Sequence, residues 1–182
     1  MKNILIIVGS MRKGSYNKQL AAHIENSLEG KAKVSYLDYA DLPFMNQDIE
    51  FPTPETVARV RSEIESADGL WIVSPEHNHS IPSVLKNLLD WISRPREKGN
   101  PDAGKTSADV KVTLSGIGGV SGTSFARKAL YDICEFIGMN VVADQGTGLV
   151  YNRDAFNTGE ISVSAEDDAK LKEQAKIFLE SL

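Results

Sequence analysis

The chain has 182 residues, enough to bury one sizeable core without disulfide staples or a structural metal. Hydrophobic residues make up 41% and charged residues 25%, with no low-complexity tract, so the sequence reads as globular rather than disordered or fibrous. The formal net charge of −5 comes from interspersed acids and bases; no concentrated basic face marks a nucleic-acid binder.

At the amino terminus, Ile4 to Val8 is an apolar run too short for a membrane span. It is also shorter than the roughly 7–15 apolar residues of a signal peptide, and Gly9-Ser10-Met11-Arg12 supplies no small-residue cleavage site. A cytoplasmic protein with no membrane partner is expected. The run is β-branched and bounded by Gly9, which predicts a strand buried on both faces. Ser15 then reads as a helix N-cap, with Leu20, Ile24 and Leu28 at helical spacing before Gly30. Lys33 to Leu37 is a second, weaker strand. Beyond a loop holding Pro43, Pro52 and Pro54, a helix is predicted over 53–66, with Val57, Val60 and Ile64 on one face.

Gly69 to Val73 is the third strand, closed by Ser74-Pro75. A helix starting near Ser80 to Pro82 follows, since proline is tolerated in a first turn, and buries Val84, Leu85, Leu88 and Ile92. The polar stretch Arg94 to Asp109 reads as a surface loop. Val110 to Leu114 is the fourth strand, and a helix after Gly122 carries Ala126, Leu130, Ile133 and Ile137. Cys134 lies in that helix; a lone cysteine excludes an intramolecular disulfide, and its apolar neighbours make it a core thiol. Asn140 to Ala143 is a short fifth strand, and Leu171, Ala175, Phe178 and Leu182 mark a terminal helix. Strand–helix alternation with buried strands implies a doubly wound parallel sheet with helices on both faces. No linker or repeat divides the chain, so residues 1–182 are read as one domain.

Ligands of open α/β sheets bind beyond the carboxyl ends of the strands. Three unusual loops fall there: Gly9 to Asn17, Ser74 to Ser80, and Ser115 to Gly122. The first joins a buried strand to a helix start and suits a phosphate, because a helix amino terminus offers unpaired N–H groups and partial positive charge. It is not a dinucleotide fingerprint, since Met11 stands where the second glycine belongs. Nor is it a P-loop, since Ser15 and Tyr16 replace the lysine and hydroxyl. The second loop, with His77, Asn78 and His79, suits a planar heterocycle; His77 and His79 with Glu76 lack a further metal ligand. Four glycines in the third loop let backbone approach a ligand closely.

Two motifs carry a resemblance. They are Gly9-Ser10-x-Arg12-x-x-Ser15-x-Asn17 and Pro75-Glu76-His77-Asn78-His79-Ser80-Ile81-Pro82, the latter running on into Leu85-Lys86-Asn87 and Asp90-Trp91. With Ser115-Gly116 and Gly118-Gly119, they make the sequence similar to the NADPH-dependent FMN reductases, a flavodoxin-like family that includes quinone, chromate and azo-dye reductases. The resemblance runs from residue 3 to about 145. It implies a five-stranded sheet of order 2-1-3-4-5, with FMN as cofactor and NADPH or NADH as co-substrate.

By resemblance, Ser10, Arg12, Ser15 and Asn17 hold the FMN phosphate, with Tyr16 a further cofactor-binding residue; Pro75, Glu76, His77 and Asn78 contact the isoalloxazine ring. Ser115, Gly116, Gly118 and Gly119 then close over its other side. His77 departs from the tyrosine usual in the family, and an imidazole titrates near neutral pH where a phenol does not. The flavin carries the chemistry, so no side chain is assigned as catalytic. The implied function is hydride transfer from a nicotinamide through flavin to FMN, a quinone or a similar acceptor, chromate and azo compounds included. The rival is a flavodoxin-type electron carrier, which usually surrounds its flavin with acids; here Arg12 and Lys13 against Glu76 leave the loops net positive. A receiver-type domain is rejected, because Gly9-Ser10 and Ser74 stand where its aspartates belong. The family also implies a homodimer or homotetramer; Trp91 lies off the buried stripe of its helix, next to the second loop, so the helix carrying it is the expected interface.

Overall fold

A computed structural model describes residues 1–182. The β-branched run forms strand β1 (Lys2–Val8), buried from Ile4 to Val8 as expected of a central strand. Helix α1 (Tyr16–Leu28) starts behind Ser15, whose hydroxyl accepts the Asn17 N–H at 3.2 Å. Then come β2 (Ala32–Tyr36), α2 (Glu55–Glu65), β3 (Gly69–Val73), α3 (Ser83–Ile92), β4 (Pro95–Glu97) and β5 (Asn100–Lys105). The chain continues through β6 (Lys111–Gly118), α4 (Ser124–Phe136), β7 (Asn140–Val141), β8 (Thr147–Val150), the single turn α5 (Ala155–Thr158) and α6 (Ala165–Ser181). No helix is long and apolar enough to cross a membrane.

The main sheet runs β2-β1-β3-β6-β7 with every pair parallel, which is the doubly wound flavodoxin-like order. Alternate residues of the strands feed two cores. Leu5, Ile7, Leu70, Ile72, Val112 and Leu114 face α2, α3 and α4. Ile4, Ile6, Trp71, Val73 and Ile117 face α1 and α6.

Two departures from expectation stand out, one at the far edge of the sheet and one in a separate hairpin. The fifth position is shared: β7 pairs the start of β6, and β8 pairs its end from Ser115↔Thr147 to Gly118↔Val150. Between them the chain swings out through Ala143, Asp144 and Gly146, all at positive φ. Arg127 pins this excursion by donating to the carbonyls of Gln145 and Gly146, each at 2.7 Å. The segment read as a surface loop, 94–109, contains instead the β4–β5 antiparallel hairpin. Long-range ion pairs anchor it: Arg94 grips Glu50 with two hydrogen bonds of 2.9 and 3.1 Å, and Arg96 meets Glu65 at 2.8 Å.

Trp91 corrects the expected interface. It is fully buried, and its indole N–H donates to the Pro43 carbonyl at 2.8 Å. The loop between β2 and α2 folds back over α3 and covers the tryptophan, held by Asn87, which donates to Pro43 and accepts from the Met45 N–H. Leu88 is likewise fully buried. Helical periodicity alone does not show that a loop returns to cover a third face.

Cys134 lies in the core with no exposure, and burial pushes its thiol up to about 12 from 9.0. Two consequences are expected. A thiol reagent at neutral pH labels Cys134 only after denaturant is added. Because ionisation is easier in the unfolded chain, this group's stabilisation is complete below pH 9.0 and is lost as pH rises toward about 12, which urea melts across that range would register.

Candidate active site

The register of β1, β3 and β6 sets Val8, Val73 and Ser115 side by side, so all three unusual loops leave the sheet from one edge. Gly9 donates to the Val73 carbonyl at 2.9 Å, and a Cβ there would crowd the Ser74 hydroxyl at 3.0 Å. From Ser10 through Tyr16, no backbone N–H has a partner within the chain. These donors surround the start of α1, whose first turn holds no acidic residue. The arrangement is a nest for an anion. Arg12 adds a full positive charge nearby and lies over the Tyr16 ring, 5.6 Å from its centroid.

The loop after β3 is a tight hairpin. His77 and Ser80 exchange both backbone hydrogen bonds at 2.9 Å, and Asn78 and His79 take positive φ of 51° and 57°, the signature of a type I′ turn. The turn sends the three side chains different ways. His77 lines the cleft; Asn78 lines a separate depression with Lys86 and Ile133; His79 stacks on Phe125, with ring centroids 4.2 Å apart.

The cleft encloses about 760 Å³, within the roughly 300–1,000 Å³ usual for cofactor sites. Of the residues singled out from sequence, Ser10, Arg12, Ser15, Tyr16, Asn17, Pro75, Glu76, His77, Gly118 and Gly119 line it. Ser115, Gly116 and Asn78 do not. Ser115 has no exposure: its hydroxyl accepts from the Trp71 indole at 3.1 Å and meets the Gln174 side-chain oxygen at 3.2 Å. Gly116 is where the Ser74 carbonyl and the Thr123 hydroxyl approach too closely for any Cβ.

Some lining residues are committed to protein partners. The Asn17 amide is 3% exposed and bonds both backbone groups of Ile117, accepting from its N–H at 3.0 Å and donating to its carbonyl at 2.9 Å. It clamps the first loop to the end of β6. Both oxygens of Glu76 accept from the loop and helix after β6.

Tyr151 and Phe156 were not singled out from the sequence. Tyr16, Tyr151 and Phe156 form a run of aromatic contacts, with centroids 5.3 and 5.1 Å apart, along one wall of the cleft. The Tyr16 hydroxyl donates to the Ala155 carbonyl at 2.6 Å and fixes α5 beside it. The available signal was the period-two pattern Thr147, Leu149, Tyr151, which marks the strand that delivers the tyrosine. No group of three or more His, Cys, Asp or Glu side chains is placed to hold a metal ion.

An anion nest, a guanidinium and a broad slot between a histidine-bearing hairpin and two glycines fit a phosphorylated planar cofactor. Comparison with known proteins decides which. The profile of the NADPH-dependent FMN reductases matches residues 2–149. The chain belongs to that family. It is 37% identical over 134 residues to a 2-hydroxy-1,4-benzoquinone reductase of a Burkholderia species, covering 74% of this chain and 70% of that one. It is 32% identical over 180 residues to a quinone reductase of Pseudomonas putida, covering 98% and 89%. The flavoenzyme FerB of Paracoccus denitrificans, an NAD(P)H:(acceptor) oxidoreductase, superimposes with a TM-score of 0.85 at 25% identity, covering 99% and 96%. The chain is an FMN-dependent oxidoreductase.

One substitution separates framework from ligand contact. Ser115→Ala strands the buried Trp71 donor and is expected to cost about 1–3 kcal/mol in chemical denaturation, while FMN affinity by fluorescence titration stays within about twofold.

Proposed function

We propose that this chain oxidises NADPH or NADH and passes the electrons, through FMN, to a small-molecule acceptor of the quinone type. The observation carrying this reading is the set of free N–H groups from Ser10 to Tyr16, which suits a terminal phosphate at a cleft of about 760 Å³. The backbone of that loop, with Ser10, Ser15 and Arg12, would hold the phosphate, and Pro75, His77, Gly118 and Gly119 would line the slot for the ring. Asn17, Ser115 and Gly116 hold these loops in place. FMN, when bound, would supply the two-electron hydride chemistry that links a nicotinamide to the acceptor. The protein's share is to orient the ring and bias its charge state. No acidic side chain lies in the first loop and Arg12 lines the cleft, which favours an anionic reduced cofactor. That bias, and the quinone reductases among the relatives, favour an enzyme over a flavodoxin-type carrier.

Residues 1–182 act here as one domain working in the cytoplasm as a homo-oligomer. Support for oligomerisation comes from apolar side chains left in water. Phe125 and Phe136 lie on the same face of α4, 50% and 89% exposed, and Val120 beside the cleft is fully exposed. Phe136→Asp is expected to shift the species seen by sedimentation toward monomer; an unchanged distribution refutes α4 as the contact.

The function itself is tested by visible absorption under nitrogen. Purified protein with FMN should show a protein-bound flavin band that bleaches on adding NADPH and returns on adding a benzoquinone. Arg12→Ala should weaken FMN binding about tenfold or more. Absence of flavin binding overturns the reading, and two well-separated one-electron steps on chemical reduction support the carrier.

A further inference from the structure

Helix α4 has no cap of its own. The residue before it, Thr123, sits in the left-handed region at φ 61°, makes no side-chain cap bond, and its buried hydroxyl has no partner. A helix start leaves four N–H groups without intrahelical acceptors, and a buried end needs something to receive them. Here the Ser124 N–H goes to the Ser121 carbonyl at 3.1 Å. The next two, from Phe125 and Ala126, go to a carboxylate oxygen of Glu76 at 3.0 and 3.1 Å. The other oxygen of Glu76 accepts from the Ser121 hydroxyl at 2.8 Å. A residue from the loop after β3 therefore does the work of an N-cap for the helix after β6, where a negative charge is also favoured.

Glu76 immediately precedes His77, the residue the hairpin presents to the cleft, and Ser121 lies in the turn that runs from Gly119 to Gly122. Three hydrogen bonds thus fasten the two walls of the slot to each other. Farther from the cleft, the His79–Phe125 stack ties the tip of the same hairpin to the same helical turn. One residue beyond Ala126, Arg127 extends the tie to the Gln145–Gly146 excursion. Its guanidinium is lowered by burial and partly restored by Asp144 and Glu76.

We propose that Glu76 is a positioning residue that sets the width of the flavin slot by capping α4 from across the cleft, rather than a group that touches the flavin with its charge. Glu76 is the only acidic side chain in the three loops, and its engagement with a helix start keeps it out of the charge balance seen by the cofactor. This inference rests on the cleft's taking FMN.

The test compares Glu76→Ala with Glu76→Gln by two readouts: FMN affinity from fluorescence quenching, with the absorption spectrum of the bound flavin, and amide hydrogen exchange at Phe125 and Ala126 in the apoprotein. The glutamine oxygen can still accept both N–H groups, and its amide can donate to the Ser121 hydroxyl. Glu76→Gln should therefore stay within about threefold of wild type on both, while Glu76→Ala loses about tenfold or more in FMN affinity, alters the bound spectrum, and speeds both amides by a similar factor. Equal loss of FMN affinity in both variants would mean the charge itself acts on the flavin, overturning the proposal; so would an alanine variant with wild-type affinity. If the alanine variant does not fold, Ser121→Ala removes one tie only, with an expected loss of about threefold, and unchanged affinity overturns the proposal. A wild-type protein that binds no FMN refutes the functional reading instead, and the exchange data then judge the cap separately.

Discussion

The parallel pairing of β1, β3 and β6 is the constraint on which the site depends. With Val8, Val73 and Ser115 in one row, three loops separated by more than a hundred residues of chain emerge together. Parallel strands need crossover helices, and α1, α3 and α4 each start just after one of these loops leaves the sheet. Loop chemistry and helix amino termini therefore gather at the same edge. An anion site follows from topology before any side chain is considered.

What keeps that edge in shape is a set of polar side chains that are spent on the protein. Asn17 bridges to Ile117, Glu76 to the start of α4, and Ser115 to Trp71 and Gln174. Gln174 also donates to the Thr113 hydroxyl and the Leu114 carbonyl, at 2.8 and 2.7 Å, and accepts from the Thr147 N–H at 3.1 Å. It thereby joins α6 to two strands and fastens the late, split edge of the sheet. Buried polar groups are costly unless satisfied, so such networks fix one arrangement of loops against many near alternatives. The cleft can then leave its own backbone donors free, because the neighbouring loops do not need them.

The electrostatic outcome follows from the same economy. Arg12 and Lys13 have no acidic neighbour in their loop, and the one carboxylate at the opposite wall is occupied by N–H donors. An anionic group seated in that loop would therefore meet N–H donors and the charge of Arg12 with no carboxylate of the same loop opposing them.

Much of this was legible in the letters. β-branched runs bounded by glycine marked the central strands, helical spacing marked α1 to α4, and the two motifs marked the family, because each of these signals depends on neighbours within a few residues. The tertiary structure alone decided which motif residues face the cleft. Ser115 and Asn17 look like ligand contacts in the sequence, yet their partners lie 44 and 100 residues away. Trp91 looked exposed because the loop that covers it is distant in the chain, and the β4–β5 hairpin was hidden because its anchors, Glu50 and Glu65, are too. Local periodicity determines elements and the edge where they converge; whether a polar side chain there serves the ligand or the framework is set by contacts that only the folded chain brings together.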